Sequence, residues 1–413
     1  MSLTPLETFK ISMINHFKTF RPLQQFFIVL FSLGTLVTIV SLRHFTVALL
    51  WSSGVVLTLF CQDKKTFLKD LWRALKHPGF LILSVLLLWS FCSSAWSVRP
   101  MQSFKASLSQ SATLFLIAVL FTHLKSFSQR SFSWAMKLLT GLVFLSALLL
   151  FLQIPFFWGT LKENMGYGWS TLKTNVALLL ILSIPLAAYW QLHHKQKAVP
   201  LFLFLFSITL ASQVAYQAGS FGLIIAGMAA GLGYRFSYFI PMASAYLSAF
   251  LCLSLPFIFH CLIPALDLKV MWFTSGLSSL AHRFYIWDFI TKRVLEKTFL
   301  GWGAAASRGF PTYGLKLFEG NDILPSHPHN HIMQIWLELG GVGALFLAIL
   351  HFMLFRAIAK LETRLATAWA MFFTVASFMI LSLSHSIWHK WWVTWLGAAA
   401  VLMVVVIKKS PKN

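Results

Sequence analysis

The chain reads as an all-α polytopic membrane protein of about 12 transmembrane helices, and three observations carry that expectation. Hydrophobic residues make up 58% of its 413 residues and charged residues 11%. The mean hydropathy is +0.75, and a soluble domain needs more polar surface than that. Twelve apolar runs approach the roughly 20 residues a helix needs to cross a bilayer core. Lys and Arg are spread unevenly over the connections between those runs.

In chain order the runs cover about 25–42, 45–61, 79–95, 106–122, 134–155, 172–190, 199–216, 219–235, 238–262, 331–355, 365–384 and 391–407. The first follows a basic leader with Lys10, Lys18 and Arg21 and is expected to stay in the membrane as a signal anchor. The seventh and eighth are parted only by Tyr216-Gln217-Ala218-Gly219-Ser220. With the N-terminus inside, the cytoplasmic connections hold 20 of the 33 basic residues, and the short outer connections hold 6. Long loops count little in this rule. Both termini are therefore expected to be cytoplasmic, with residues 263–330 forming one long periplasmic loop within a single membrane domain, 1–413.

The formal charge is +22. With no soluble basic domain to hold nucleic acid, this excess points to anionic headgroups of membrane lipids and to an anionic substrate. Cys61, Cys92, Cys252 and Cys261 lie in or at the ends of apolar runs without metal-type spacing, and read as small buried hydrophobes.

The long loop is amphipathic, with Trp272, Phe273, Phe284, Tyr285, Trp287 and Phe289. Leu280–Lys297 has helical character, with Trp287, Ile290 and Val294 on one face. This helix is expected to pack on the membrane-facing rim. Gly301-Trp302-Gly303 ends it, and Pro311, Gly314 and Gly320 mark turns.

The loop closes on His327-Pro328-His329-Asn330-His331, where it re-enters the membrane. Histidine accepts a proton near neutral pH. Asn330 is placed to cap the following helix through its side-chain oxygen. Free amides at that helix start favour an anion. A metal bound by His327, His329 and His331 is the competing possibility. The loop offers few acidic partners, so a metal is not expected. Arg283 lies four residues before Trp287 on the same face; its rigid fork matches phosphate oxygens, although pairing with Asp288 would use it otherwise. His331, Gln334 and Glu338 form a polar stripe into the tenth run, and an acid so deep should face the bundle interior, where it could orient a histidine or an arginine. Gly340 and Gly343 suit close helix packing. Arg99, Lys105, Lys162, Lys173, Lys292, Arg293, Lys297, Arg308, Lys316 and Lys390 could together line an anion funnel. His385 and His389, in the turn between the last two runs, are weaker candidates.

At these residues the chain resembles the bacterial O-antigen ligase family, which shares its fold with O-antigen polymerases. The resemblance rests on His329-Asn330, nine residues, Gly340, two residues, Gly343, and on Arg283 and Trp287 with Gly301-Trp302-Gly303 downstream. It implies transfer, on the periplasmic face of the inner membrane, of a glycan from undecaprenyl diphosphate to a sugar hydroxyl of lipid A-core or another glycan acceptor. It implies His329 and Arg283 as catalytic residues, with no metal or nucleotide. Substrate contacts are expected from His327, Asn330, Gln334 and Glu338. The family usually carries a Ser-Arg pair at the start of a middle helix. Here Gln217 stands nearest that place and brings no charge, so either Lys173 or Arg99 substitutes, or the donor is held differently. An O-antigen or exopolysaccharide polymerase would use the same histidine chemistry. A transporter would need ionisable residues near the midplane, where Glu338 is the nearest.

Overall fold

The computed structural model describes residues 64–159, 169–213, 216–274, 278–312, 314–316 and 322–411. They are almost wholly helical. The helices are α1 (Lys64–Leu75), α2 (Pro78–Cys92), α3 (Pro100–Ser126), α4 (Gln129–Gly159), α5 (Trp169–His194), α6 (Ala198–Gln213) and α7 (Gln217–Arg235). They continue as α8 (Phe239–Leu262), α9 (Leu268–Phe273), α10 (Ser278–Glu296), α11 (His331–Ala359), α12 (Arg364–Leu383) and α13 (Lys390–Lys408). Ten of the twelve apolar runs correspond to helices; the runs at 25–42 and 45–61 lie outside the described residues.

Eight of the described helical segments are long and apolar enough to cross a membrane. The seventh and eighth runs, now α6 and α7, are not among them. Helix α6 has 16 residues, and α7 carries five glycines among its 19. Helix α1 lies in what the sequence presented only as a basic connection. It forms because Phe67, Leu71 and Ala74, at helical spacing, bury one face while Lys64, Lys65, Lys69 and Arg73 stay exposed. Cys252 is buried as expected, whereas Cys92 and Cys261 are exposed at helix ends, and Cys61 lies outside the described residues.

The described residues form two compact units. One contains those within 64–74, 116–213 and 398–411. Within it, α5 is buried almost continuously from Val176 to Tyr189, and the Tyr189 hydroxyl meets Ser133 Oγ at 2.6 Å. The other contains residues 75–115 and 216–397. In it α7 packs along α12, and α8 along α11. Helix α10 buries Ile286, Ile290 and Val294 in a core shared with α8 and α11.

The feature that shapes this second unit is a break in α11. Gly340 has φ 64° and ψ −164°, a region of backbone space open essentially to glycine alone. A Cβ on Gly340 would overlap the Phe299 carbonyl, and one on Gly301 would come within 2.6 Å of the Glu338 carbonyl. The freed backbone groups of α11 are taken up by the incoming 298–303 segment. Trp302 and Gly303 amides donate to Leu337 O and Glu338 O at 2.9 and 2.8 Å, and the Gly341 amide donates to Thr298 O at 2.7 Å. Trp89 Nε1 takes Leu339 O at 3.0 Å. The glycine motif thus breaks the helix and seats the loop on it, rather than only permitting close helix packing.

Gly340→Ala should therefore cost about 1–3 kcal/mol in backbone strain alone, with the overlap against Phe299 in addition. Gly231→Ala, which meets nothing within 4 Å, should leave stability nearly unchanged. Thermal unfolding in detergent checks both; equal melting temperatures for the two variants would contradict the role of the break.

Candidate functional site

The site is built at the C-terminal end of α12. The last carbonyls of a helix have no partner within it, and this end carries partial negative charge. Here two consecutive carbonyls each bind side chains from other elements. Leu383 O accepts from Arg283 Nε at 3.3 Å and Nη2 at 3.1 Å. Ser384 O accepts from His327 Nε2 at 2.8 Å and His329 Nδ1 at 3.2 Å. Arg283 and His329 are thus anchored one residue apart.

Arg283 is presented by α10 and held further by Ser279, whose carbonyl and Oγ accept from Nη1 at 2.7 and 2.6 Å. Asp288 does not pair with it but takes Lys292 at 2.7 Å. Among the described residues no carboxylate meets Arg283, so only neutral dipoles offset its charge. One turn further along α10, Trp287 Nε1 donates to Pro328 O at 3.0 Å, and its ring stacks on Phe259 at 4.9 Å. The face shared by Arg283 and Trp287 therefore holds both the cation and the histidine loop.

His329 has φ 54°, a left-handed conformation that histidine adopts more readily than most residues but at some cost. Its neighbours fix it. Pro328 is tied to Trp287 on one side. On the other, Asn330 caps α11, its Oδ1 accepting from the amides of Ile332 and Met333 at 3.0 and 3.1 Å. A carbonyl can only accept, so His329 carries its proton on Nδ1 and keeps the lone pair of the neutral ring on Nε2. That nitrogen has no hydrogen-bond partner among the described residues. Burial pushes the His329 pKa down to about 3; His327 and Arg283 reinforce the shift and the Ser384 carbonyl opposes it. Burial also lowers the pKa of His327, against the Ser384 carbonyl, with Arg308 adding to the shift. Both rings are neutral at pH 7, and Arg283 supplies the charge.

The three clustered histidines do not act as one group. The His327 and His329 rings lie 4.3 Å apart. His331, the first residue of α11, turns away: its Nδ1 meets Ser382 Oγ at 3.1 Å and its ring lies 5.5 Å from that of His351. Among the described residues no three His, Cys, Asp or Glu side chains are placed to hold a metal ion. The weaker candidates join the cluster instead. His389 lies 5.1 Å from His327 between ring centres, and His385 Nε2 is 3.3 Å from the Tyr216 hydroxyl.

Other expected site residues take different places. Gln334 and Glu338 are buried, and their polar atoms are engaged by protein. Glu338 accepts from the amides of Ala305 and Ser307 at 3.0 and 3.3 Å and from Ser307 Oγ at 2.6 Å. It also accepts from Gln334 Nε2 at 3.1 Å and from Trp388 Nε1. Gln334 further binds Ser386 Oγ at 2.9 Å and the Ile387 amide at 3.3 Å. The pair fastens the 304–307 turn and the 384–388 turn to α11; it orients neither a histidine nor an arginine directly, and His331 is not part of its network. Asn330 Oδ1 is committed to the helix cap. Gln217 is exposed at the start of α7, and its neighbour Tyr216 is the residue that reaches the cluster. Arg99 is exposed, with Nη1 bonded to Arg308 O at 2.9 Å and Gln102 Oε1 at 3.0 Å. Lys173 lies on α5, in the other unit, and Lys162 lies outside the described residues. Tyr216 and Ser384 escape sequence reading because a backbone acceptor and a lone tyrosine leave no mark in a sequence.

Comparison with known proteins bears on the same segment. Residues 173–348 match the family described as O-antigen ligase, a span that contains Tyr216, Arg283, His329, Gly340 and Gly343. A Rickettsia felis protein described provisionally as a polysaccharide ligase is 27% identical over 332 residues, covering 78% of each chain. A similarly described Rickettsia conorii protein is 33% identical over 134 residues, 32% of this chain and 33% of that one. No solved structure matches.

The lowered pKa of His329 has a stability consequence with a definite sign. The folded ring stays neutral while the unfolded ring titrates at 6.5, so its stabilisation is present above pH 6.5 and is lost as pH falls toward 3. At pH 5 the loss amounts to about 2 kcal/mol at most. His329→Asn, which tolerates the left-handed backbone, should show a shallower fall in melting temperature between pH 7 and pH 5 than the wild type. Parallel curves would contradict the buried neutral imidazole.

Proposed function

We propose that this chain, whose residues 173–348 match the O-antigen ligase family, moves a glycan from undecaprenyl diphosphate onto a sugar hydroxyl of lipid A-core or a similar acceptor. In this proposal the reaction takes place on the periplasmic face of a bacterial inner membrane. The single observation that carries it is the anchoring of Arg283 and His329 on consecutive carbonyls of α12. A proton acceptor and an uncompensated cation are held side by side there, as a displacement at an anomeric carbon requires.

The chemistry divides between these two. The acceptor hydroxyl gives its proton to His329 Nε2 as its oxygen attacks the anomeric carbon on the face opposite the leaving group. The bond from that carbon to the phosphate oxygen breaks, and the electron pair leaves with the diphosphate. Negative charge grows on that oxygen in the transition state, where the Arg283 guanidinium stabilises it more than in the ground state. The low pKa of His329 keeps the ring unprotonated in the free enzyme, with the Nε2 lone pair available. The diphosphate, once bound beside it, raises its basicity. His327 shares the Ser384 carbonyl and packs against His329, so it supports the ring orientation.

With purified donor and lipid A-core in detergent or nanodiscs, His329→Ala should lower transfer by about 10²–10⁴-fold. Arg283→Lys keeps the charge but cannot span Leu383 O and Ser279 together, and should lose about 10²-fold. Lys292→Ala, at an exposed ion pair, should transfer normally. A folded His329→Ala protein that transfers at the wild-type rate would end the proposal. Chain growth on undecaprenyl diphosphate without lipid A-core would assign the same site to polymerisation.

A further inference from the structure

One group in the cluster is left without a part in this scheme. Tyr216 stands immediately before α7 and is buried, at 4% exposure. Its hydroxyl lies 3.3 Å from His385 Nε2. Its aromatic ring lies 6.3 Å from that of His385. It also stands close enough to the Arg283 guanidinium for the two to interact electrostatically.

The turn is therefore held at two adjacent residues. The Ser384 carbonyl receives both site histidines, while the His385 ring faces the Tyr216 hydroxyl. Ser384 ends α12 with φ −140° and ψ −54°, outside the helical range, so the helix no longer fixes the direction of its carbonyl. The residues after it are fastened on the α11 side through Ser386 to Gln334 and through Trp388 to Glu338. Gln110 Nε2 binds Ile387 O at 3.0 Å. None of these contacts touches Ser384 or His385. On the α7 side Tyr216 reaches His385, the residue bonded to Ser384.

We propose that Tyr216 is a positioning residue for the transfer reaction: through His385, the residue bonded to Ser384, it fixes the carbonyl that holds His329 in its Nδ1–H form, with the reactive lone pair on Nε2. The proposal rests on the function assigned to His329 above. A phenol suits the task. It hydrogen-bonds the imidazole, spans the distance from α7 to the turn on a rigid ring, and adds no charge beside Arg283 that would compete for the anionic leaving group. Loosening the Ser384 carbonyl frees His329 to place its proton on Nε2 instead, a form that cannot take a proton from the acceptor at that atom. Orienting partners of catalytic histidines act in this way.

Tyr216→Phe keeps the ring and removes only the hydroxyl. With ¹⁵N-labelled histidine, and the His329 signal identified by its loss in His329→Asn, the variant should shift His329 from the Nδ1–H form to a mixture of tautomers. In the transfer assay its kcat should fall about tenfold or more, with little change in KM for the donor and an unchanged melting temperature. His385→Phe, which keeps a ring and removes Nε2, should give the same tautomer shift, and the double variant should be no worse than either alone. A Tyr216→Phe protein with the wild-type tautomer and kcat within twofold of wild type would overturn the inference. The tautomer readout needs no turnover, so its failure is separable from failure of the functional assignment, which His329→Ala tests.

Discussion

Two backbone carbonyls at the end of one helix hold the candidate site together. Leu383 O and Ser384 O would be unpartnered groups of a half-buried helix terminus if no side chain reached them. Instead they collect four hydrogen bonds, from Arg283, His327 and His329. This one constraint sets the distance between cation and base, selects the histidine tautomer, and draws α10, the 326–330 loop and the α12–α13 turn to one place. A carboxylate in the same position would have neutralised Arg283. A carbonyl holds the guanidinium while leaving its charge for an anionic ligand.

The second layer keeps those carbonyls in position. The break at Gly340 opens α11 to the 298–303 segment, which closes the Trp302 and Gly303 amides onto it. Two residues earlier, Glu338 gathers donors from the 304–307 turn, from Gln334 and from Trp388. All of them donate, so the buried carboxylate acts as a clasp between two loops and the helix that begins at His331. The candidate site lies at one end of α11 and the fastening about two turns further along it, with the Asn330 cap between them.

Much of this was legible in the sequence, because it depends on local signals. Apolar runs of bilayer length gave helices at nearly the expected places. Trp287, Ile290 and Val294 marked the buried face of α10, and Asn330 announced its cap. The spacing from His329 to Gly340 and Gly343 singled out the central histidine. What stayed hidden was long-range or backbone-borne. His329 and His331 look equivalent as residues, yet one lies in a left-handed turn and the other begins a helix, so their rings face different neighbours. Gln334 and Glu338 showed as a polar stripe, but their partners Ser307 and Trp388 lie about 30 and 50 residues away from Glu338. A carbonyl acceptor has no side-chain signature, so nothing in the sequence pointed to Ser384, and through it to Tyr216.

The central claim is that Arg283 and His329 face one reacting centre, the first on the leaving group and the second on the acceptor. A cryo-electron microscopy map of the protein in nanodiscs with undecaprenyl diphosphate tests this most directly. The diphosphate should lie within about 3 Å of the Arg283 guanidinium nitrogens, with His329 Nδ1 still on the Ser384 carbonyl and Nε2 facing the space beside the terminal phosphate. A diphosphate bound elsewhere, with Arg283 still occupied only by Leu383 and Ser279, would contradict the claim.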